Sequence, residues 1–508
     1  MEYWIWFTAI SSILFLYLLF QEFLIPKINK KRDLRRPPGP RELPIIGHFN
    51  LLGKNPHHDL HRLAQKHGPI MYMKFGSVPT IIASSPTAAK LFLKTHDLVF
   101  ANRPHHETTF HFYDEQDIAF GKYSKYWRDM RKLVTLELLI HRKVAQFESM
   151  RKSELESLMT SLKQAADLRE TVDLSDRVGA LIQDMNCLML LGRKSTDIDQ
   201  VFGTSKGLKD VIKDVMDEAG AFNIGDYFPY LRRLDLHGTA RRMRNLRKAF
   251  DEILDKIIDE HVQNKKNINA KKAGFQDFLG RMMDIVNSGD AGFEFDLRHI
   301  KSVILDLIFA GTGTSSVSVE WTLSELIRHP LVMKKLQQEL KQVVGLDQTV
   351  EESHLPNLEY LNCVVKESLR LHPAGPLFPN ESMEDCLVDG IYIPKQTRLI
   401  VNLWAIGRDP EAWNDPERFS PDRFIGSNVD LRGHDFELIP FGAGRRGCPG
   451  LHLGLTIVQL MVAQLVHCFD WKLPDGMLPM DLDMTEKFGL VCPRAKHLLA
   501  IPTYRLHK

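Results

Sequence analysis

The spacing of apolar and polar positions divides the chain into three regimes. Tyr3 to Phe20 reads YWIWFTAISSILFLYLLF without a charge and resumes at Phe23-Leu24-Ile25, close to the roughly 20 apolar residues that span a bilayer. No basic segment precedes this run and no small-residue cleavage site follows it, so it reads as a retained anchor. Alternating runs come next, Ile70–Phe75 and Thr80–Ala83, split by Gly76-Ser77; they predict short strands around a turn. After about residue 85 the pattern becomes helical. Phe250, Ile253, Leu254, Ile257 and Ile258 stand on one helical stripe within 240–261, and Lys- and Asn-rich 264–273 reads as a loop. A long apolar segment begins near Val303, and Pro449 to Val466 is apolar on nearly every face. Pro449 suits a first helical position. That reading puts Cys448 at the N-cap, where the helix dipole favours a thiolate.

Charge orients the first regime. Lys27, Lys30, Lys31, Arg32, Arg35 and Arg36 follow the anchor, against only Glu2 before it, which leaves the body of the protein in the cytosol. Pro37-Pro38-Gly39-Pro40 then forms a stiff spacer. No second linker divides the remainder. The expected organisation is an anchor over 1–25, a basic and proline-rich hinge over 26–47, and one folded domain over 48–508. The 508 residues, 44% hydrophobic and 26% charged, are ample for a large core. A net charge of +2 argues against a nucleic-acid partner. Six scattered cysteines without a C-x-x-C pair form neither a zinc nor a disulfide framework and suit a reducing compartment. His57 and His61, four apart, have a zinc-compatible spacing but no acidic or cysteine partner at a recognisable interval, so solvated histidines are the commoner reading.

Candidate chemistry concentrates at residues 441–450, FGAGRRGCPG. Small residues there make a tight bend that lets a flat group approach the backbone, with one thiol at its end. The string fits F-x-x-G-x-R-x-C-x-G and resembles the haem-binding loop of the cytochromes P450, with Phe441, Gly444, Arg446, Cys448 and Gly450 in the fixed places. Other stretches extend the resemblance in family order. Trp127-x-x-x-Arg131 resembles the pair set against a haem propionate. Asp306–Ser316, DLIFAGTGTSS, resembles the helix over the distal haem face, with Ala310, Gly311, Thr314 and Ser315 matching. Its mid-helix glycines and hydroxyls predict a local opening. Glu367-x-x-Arg370 resembles the first two members of a buried structural triad. Pro416-Glu-Arg-Phe419 and Pro421-Asp-Arg-Phe424 compete for the third, and the frame Trp413, Pro416, Phe419 assigns it to Arg423 rather than Arg418.

The resemblance, closest to plant microsomal enzymes of specialised metabolism, implies a mainly α fold with a small β-rich region and an N-terminal transmembrane helix. It implies haem b (iron protoporphyrin IX) with Cys448 as axial thiolate. It also implies O2 activation with Thr314 in proton delivery, electrons from NADPH through a separate NADPH-cytochrome P450 reductase, and a single-pass site in the endoplasmic reticulum membrane with its lipid. Arg445 or Lys125 would meet the reductase. The expected reaction is hydroxylation, or oxidative coupling, of a small lipophilic terpenoid, phenolic or alkaloid. Substrate contacts are expected from Phe110, Phe112, Phe309, Leu377, Phe378, Phe488 and Leu490. Residues 110–120, FHFYDEQDIAF, add Asp114, Glu115 and Asp117, either for a polar substrate group or as a solvated loop. One position departs from the family: Gly313 stands where an acid is usual. Water or Thr314 alone then carries the proton, the substrate supplies a polar group, or the chemistry is that of an NADPH-independent isomerase or dehydratase. A membrane-anchored haem-binding protein without turnover is the remaining alternative.

Overall fold

The computed structural model describes residues 11–12, 36–113, 115–202, 206–266 and 276–507. Apart from Ser11 and Ser12, the expected anchor lies outside the described residues, as do the basic stretch before Arg36 and the greater part of the 264–273 loop. Helices dominate the rest, beside one four-stranded, one three-stranded and one two-stranded sheet. The four-stranded sheet places Ile70–Phe75 antiparallel to Val78–Ala83, which runs parallel to Arg398–Asn402, which is antiparallel to Leu377–Glu381. Met71, Met73 and Phe75 alternate inward along the first strand and pack with Leu60 and Ile82, the period-2 burial of a half-covered strand. The helical stripe within 240–261 belongs to a helix over Thr239–Lys266, with Phe250, Ile253, Leu254, Ile257 and Ile258 all buried.

Two helices organise the core, Leu297–Arg328 and Leu451–Cys468. Both are long and apolar enough to cross a membrane, yet half and two-thirds of their apolar windows are buried within the protein. Asp296 caps the first: its carboxylate accepts from Arg298 N and His299 N while His299 Nδ1 accepts from Asp296 N at 3.0 Å, a reciprocal cap worth about 1 kcal/mol. The second starts at Leu451 with Gly450 as N-cap, two residues later than the pattern predicts. Cys448 therefore lies in the bend before the helix.

The proline stretch is not a free spacer. Tyr72 N donates to Pro38 O at 2.8 Å, and a Cβ on Gly39 would collide with the Tyr72 carbonyl. Gly47 bridges to Phe75, and buried His48 joins Lys74 to Pro40. From Pro38 onward the chain is docked on the sheet.

Candidate active site

Cys448 sits in a bend fixed by its own backbone. Its N–H donates to Phe441 O at 2.8 Å, and Gly447 N donates to Gly444 O at 3.1 Å. Gly444 has φ +69°, and a Cβ there would run into the Leu93 carbonyl, so this position needs glycine. Burial raises the Cys448 thiol pKa, with the Gly450 N–H and Arg131 opposing it. The expected N-cap position is corrected: Gly450 is the N-cap, and around Cys448 desolvation of the anion outweighs one N–H donor and one nearby cation. Coordination to a cation would deprotonate it outright. Yet Cys448 keeps accessible surface. A desolvated sulfur that still has surface faces a void enclosed by protein.

The central helix borders such a space. Ile308 is fully buried, whereas Ala310 is exposed and Phe309, Gly311 and Thr314 are half-buried in the middle of a core helix. Phe441 and Ser315 converge on Gly454, where a Cβ would lie 3.8 and 3.9 Å from them, so this glycine brings the cysteine loop and the central helix together one residue from Thr314. The expected local opening of that helix is absent: it is continuous over all 32 residues. Its hydroxyls bond back within it, Thr314 Oγ1 to Ala310 O at 2.5 Å, Ser316 Oγ to Thr312 O at 2.9 Å and Ser318 Oγ to Thr314 O at 2.8 Å. These bonds consume the hydroxyls without breaking the ladder.

Three guanidiniums interact around this loop, Arg103 and Arg446 buried and Arg131 half-buried. Arg131, on the helix Lys125–Val134 whose Ser124 cap accepts from Trp127 N, donates to Gly447 O and feels the Cys448 charge. Arg446 donates to Ala101 O and Gly121 O, both at 2.6 Å, and lies 3.9 Å over the Trp127 ring. Trp127 Nε1 donates to Ile118 O at 3.0 Å. Arg103 bonds Ala119 O at 3.0 Å, Pro379 O and Asn380 Oδ1, and stacks on Phe378. Among the described residues none of the three forms an ion pair with a carboxylate. Burial and then mutual repulsion push the Arg446 pKa well down; burial does the same for Arg103 and Arg131. Asp117 opposes the shifts at Arg103 and Arg446, but burial pushes its own carboxyl up, as it does at Asp306. Guanidiniums keep their protons, so the cluster lacks an anion. A thiol facing a void, an accessible helix above it and unpaired buried arginines beside it fit a flat, metal-bearing, dianionic cofactor such as haem.

Other expected residues fall in several places. Glu367 and Arg370 are 0% and 1% exposed. Glu367 receives Arg370 Nε at 2.7 Å, Arg370 Nη2 at 2.9 Å and Arg423 Nε at 3.0 Å. Arg418 contributes only its carbonyl. Leu377 and Phe378 are half-buried on their strand, with Phe378 3.5 Å from a Cβ placed at Gly442. Phe488 stacks on His57, and Leu490 reaches Gly220. Phe110 is exposed. Phe112 is buried in the core against Phe250 rather than lining a cavity. Asp114 lies outside the described residues; Glu115 pairs with His105, and Asp117 folds back on Phe120 N. Arg445 pairs with Asp97, and Lys125 with Asp129.

Sequence reasoning misses Arg103, Gly454 and Asp306, whose carboxylate accepts from Ile118 N at 2.6 Å. Only Gly454 carries a signal, as the second small residue of Gly450-x-x-x-Gly454. The histidine pair resolves differently from its spacing. His57 and His58, rather than His61, meet Glu486 at 2.7 and 2.9 Å, hydrogen-bond lengths shorter than the roughly 3.3 Å between donors sharing a tetrahedral ion. A separate cleft of about 960 Å³ has neither Cys448 nor Thr314 in its walls, and its Arg151 and Glu352 already pair at 2.6 Å.

The model of the family described as Cytochrome P450 matches residues 37–500. The cytochrome P450 CYP736A12 of Panax ginseng is 50% identical, with 95% of this chain and 96% of that protein covered. The 3,9-dihydroxypterocarpan 6A-monooxygenase of Glycine max is 40% identical, covering 98% and 97%. A flavonoid 3'-monooxygenase of Crocosmia x crocosmiiflora is 41% identical, covering 97% of each. Among solved structures, a zebra fish cytochrome P450 with abiraterone superposes with a TM-score of 0.69 at 25% identity, over 89% of this chain and all of that one.

Proposed function

The chain belongs to the cytochrome P450 family, and we propose that within it this protein hydroxylates, or oxidatively couples, a small lipophilic plant metabolite. A polycyclic phenolic is the first class to test, ahead of terpenoids and alkaloids. As a P450 it is a haem-dependent monooxygenase whose cofactor is held by a cysteine thiolate and whose electrons come from NADPH through a reductase. The phenolic class rests on relatives whose names specify a pterocarpan and a flavonoid. The observation that carries the site reading is Cys448 with surface in a desolvated setting, next to Arg131 and two residues from Arg446, neither in an ion pair among the described residues.

When bound, haem supplies dioxygen activation, with the Cys448 thiolate pushing electron density onto the iron. Arg131 and Arg446, with Trp127 and Arg103 beside them, would hold the cofactor's carboxylates; the charged, forked guanidinium donors suit them. Phe441, Gly444 and Gly450 shape the loop beneath it, and Ala310 and Gly311 leave room above. Thr314 holds a proton at the distal face and must leave its bond to Ala310 O to pass it on. Asp306 stands seven residues before Gly313 on the same helix, and its carboxylate accepts from Ile118 N. Phe110, Phe309, Leu377, Phe378, Phe488 and Leu490 supply the apolar wall. Glu367, Arg370 and Arg423 brace the fold. Residues 1–25 anchor the protein in the endoplasmic reticulum membrane, with the 48–508 domain facing the cytosol and the reductase. Turnover without NADPH rests on Gly313 alone, and relatives named as monooxygenases or as a hydroxylase favour the oxidative reading.

The test is the carbon monoxide difference spectrum of the reduced, membrane-expressed protein beside Cys448→Ala. A thiolate-type Soret band is expected in the first and not in the second; a folded wild-type protein without it overturns the reading. With reductase and NADPH, a flavonoid and pterocarpan panel should give an oxygenated product. Thr314→Ala should lower product formed per NADPH by about 10²-fold without changing the spectrum.

A further inference from the structure

Away from the cysteine loop, one carboxylate gathers three imidazoles from two distant parts of the chain. Glu486 Oε2 meets His57 Nε2 at 2.7 Å and His58 Nε2 at 2.9 Å, and its Oε1 lies 3.9 Å from His372 Nδ1. His57 and His58 belong to the helix Pro56–His67; His372 follows the helix Glu359–Leu371. His57 is 0% exposed, and burial lowers its pKa. Its Nδ1 has no partner, so the neutral ring donates through Nε2 and Glu486 keeps its charge. Arg408, stacked on Trp404 and paired with Glu417 at 3.2 Å, is a cation facing this group. His372 continues the network: Nε2 meets Glu325 Oε1 at 2.7 Å, and its ring lies flat on Trp321, 4.0 Å between centroids.

Six residues further on the same loop is held again. Trp321 Nε1 donates to Cys492 O at 2.9 Å, and Cys492 N donates to Ala374 O at 2.8 Å. Phe488 to Val491 hang between these two anchors. Phe488 stacks on His57 at 5.5 Å. Gly489 and the Leu490 backbone press on Gly220, and the Val491 methyls lie 3.6 and 3.7 Å from a Cβ placed at Gly313. Gly313 is the residue before Thr314, at the position where the family pattern has an acid.

We propose that Glu486, held by His57 and His58 with His372 3.9 Å away, is a positioning residue that sets how closely Val491 approaches Gly313, and so limits the bulk of substrate admitted at that end of the distal pocket. The Gly313 notch is then closed by an apolar wall whose distance is fixed by a charge about one loop away. The proposal rests on the haem-site reading above.

The test uses the haem-loaded protein and two iron-binding probes, imidazole and the bulkier 4-phenylimidazole, titrated by their Soret shifts. Wild-type protein without the thiolate-type carbon monoxide band would bring down the haem reading itself, separately from the clamp. Given that band, Glu486→Gln should change the 4-phenylimidazole Kd at least fivefold while imidazole stays within twofold, and Glu486→Asp should restore part of the difference. An unchanged ratio of the two Kd values in a variant with an intact band overturns the proposal. Where Glu486→Gln does not fold, His58→Gln, at a partly exposed position, should shift the ratio about twofold, and Val491→Ala should tighten 4-phenylimidazole alone. Failure of both to move the ratio equally overturns it.

Discussion

Two buried groups of arginines in this protein look alike in composition and differ in what surrounds them. Around Glu367 every donor of Arg370 is used: two bonds go to the carboxylate and the others to Gly407, Pro416 and Arg418 carbonyls. Arg423 adds a third bond to Glu367 and reaches Asn414 O at 2.7 Å. Around Cys448, Arg103, Arg131 and Arg446 also bond carbonyls, but no carboxylate pairs with them among the described residues, and burial depresses all three pKa values. The first group is complete and braces the fold. The second has no ion-paired carboxylate among the described residues, and on the proposed reading its counter-charge comes from the cofactor. Burial of charge is therefore a brace or a binding site according to whether its counter-charge is in the chain.

The largest effect should come from breaking the complete group. Glu367→Ala leaves two guanidiniums without their carboxylate and should cost about 3–5 kcal/mol, read as a collapse of the urea midpoint and of recoverable haem protein. Acid should act on the same kind of network more gradually. Glu325, between His329 and His372, has its pKa lowered to about 2 despite burial, through hydrogen bonds to those imidazoles. A depressed carboxyl contributes stability that is fully present above its unfolded value near 4.5 and is lost as pH falls toward 2. Urea midpoints should fall steeply below pH 4.5, by about 3 kcal/mol in total, and Glu325→Gln should flatten that slope.

The incomplete group should respond in the opposite sense. Arg131→Leu removes one unpaired charge and one backbone bond, so the haem-free protein should lose at most about 1 kcal/mol. Haem transfer to an acceptor globin should nevertheless speed up about tenfold, equal to 1.4 kcal/mol. Equal losses with and without haem would erase the distinction between the two groups. The smallest effect belongs to Gly313→Ala. Its Cβ would come 3.2 Å from the Met216 terminal methyl, a flexible group that can yield by a few tenths of an ångström. Stability, read as the urea midpoint, should change by less than about 1 kcal/mol.

Much of this was legible in the chain, and the boundary follows interaction range. Ile70–Phe75 forms the strand its alternation predicts, and the 240–261 stripe lies on one helix, because both patterns are local and repeat with the backbone. Glu367 and Arg370 meet because three residues make nearly one helical turn, and a fixed frame of aromatic and proline residues distinguishes Arg423 from Arg418. The motif around Cys448 likewise identifies the thiol without any fold. The thiol's environment was beyond reach. Its place before the N-cap, and a pKa raised rather than lowered, depend on where the helix starts and on how much protein surrounds the sulfur. Arg103 joins Arg131 and Arg446, and Glu486 meets His57, only because the sheet, the central helix and the C-terminal loop pack together. Sequence determines contacts spanning a helical turn or a strand pair. Desolvation, and ion pairs across hundreds of residues, exist only once the chain has enclosed them.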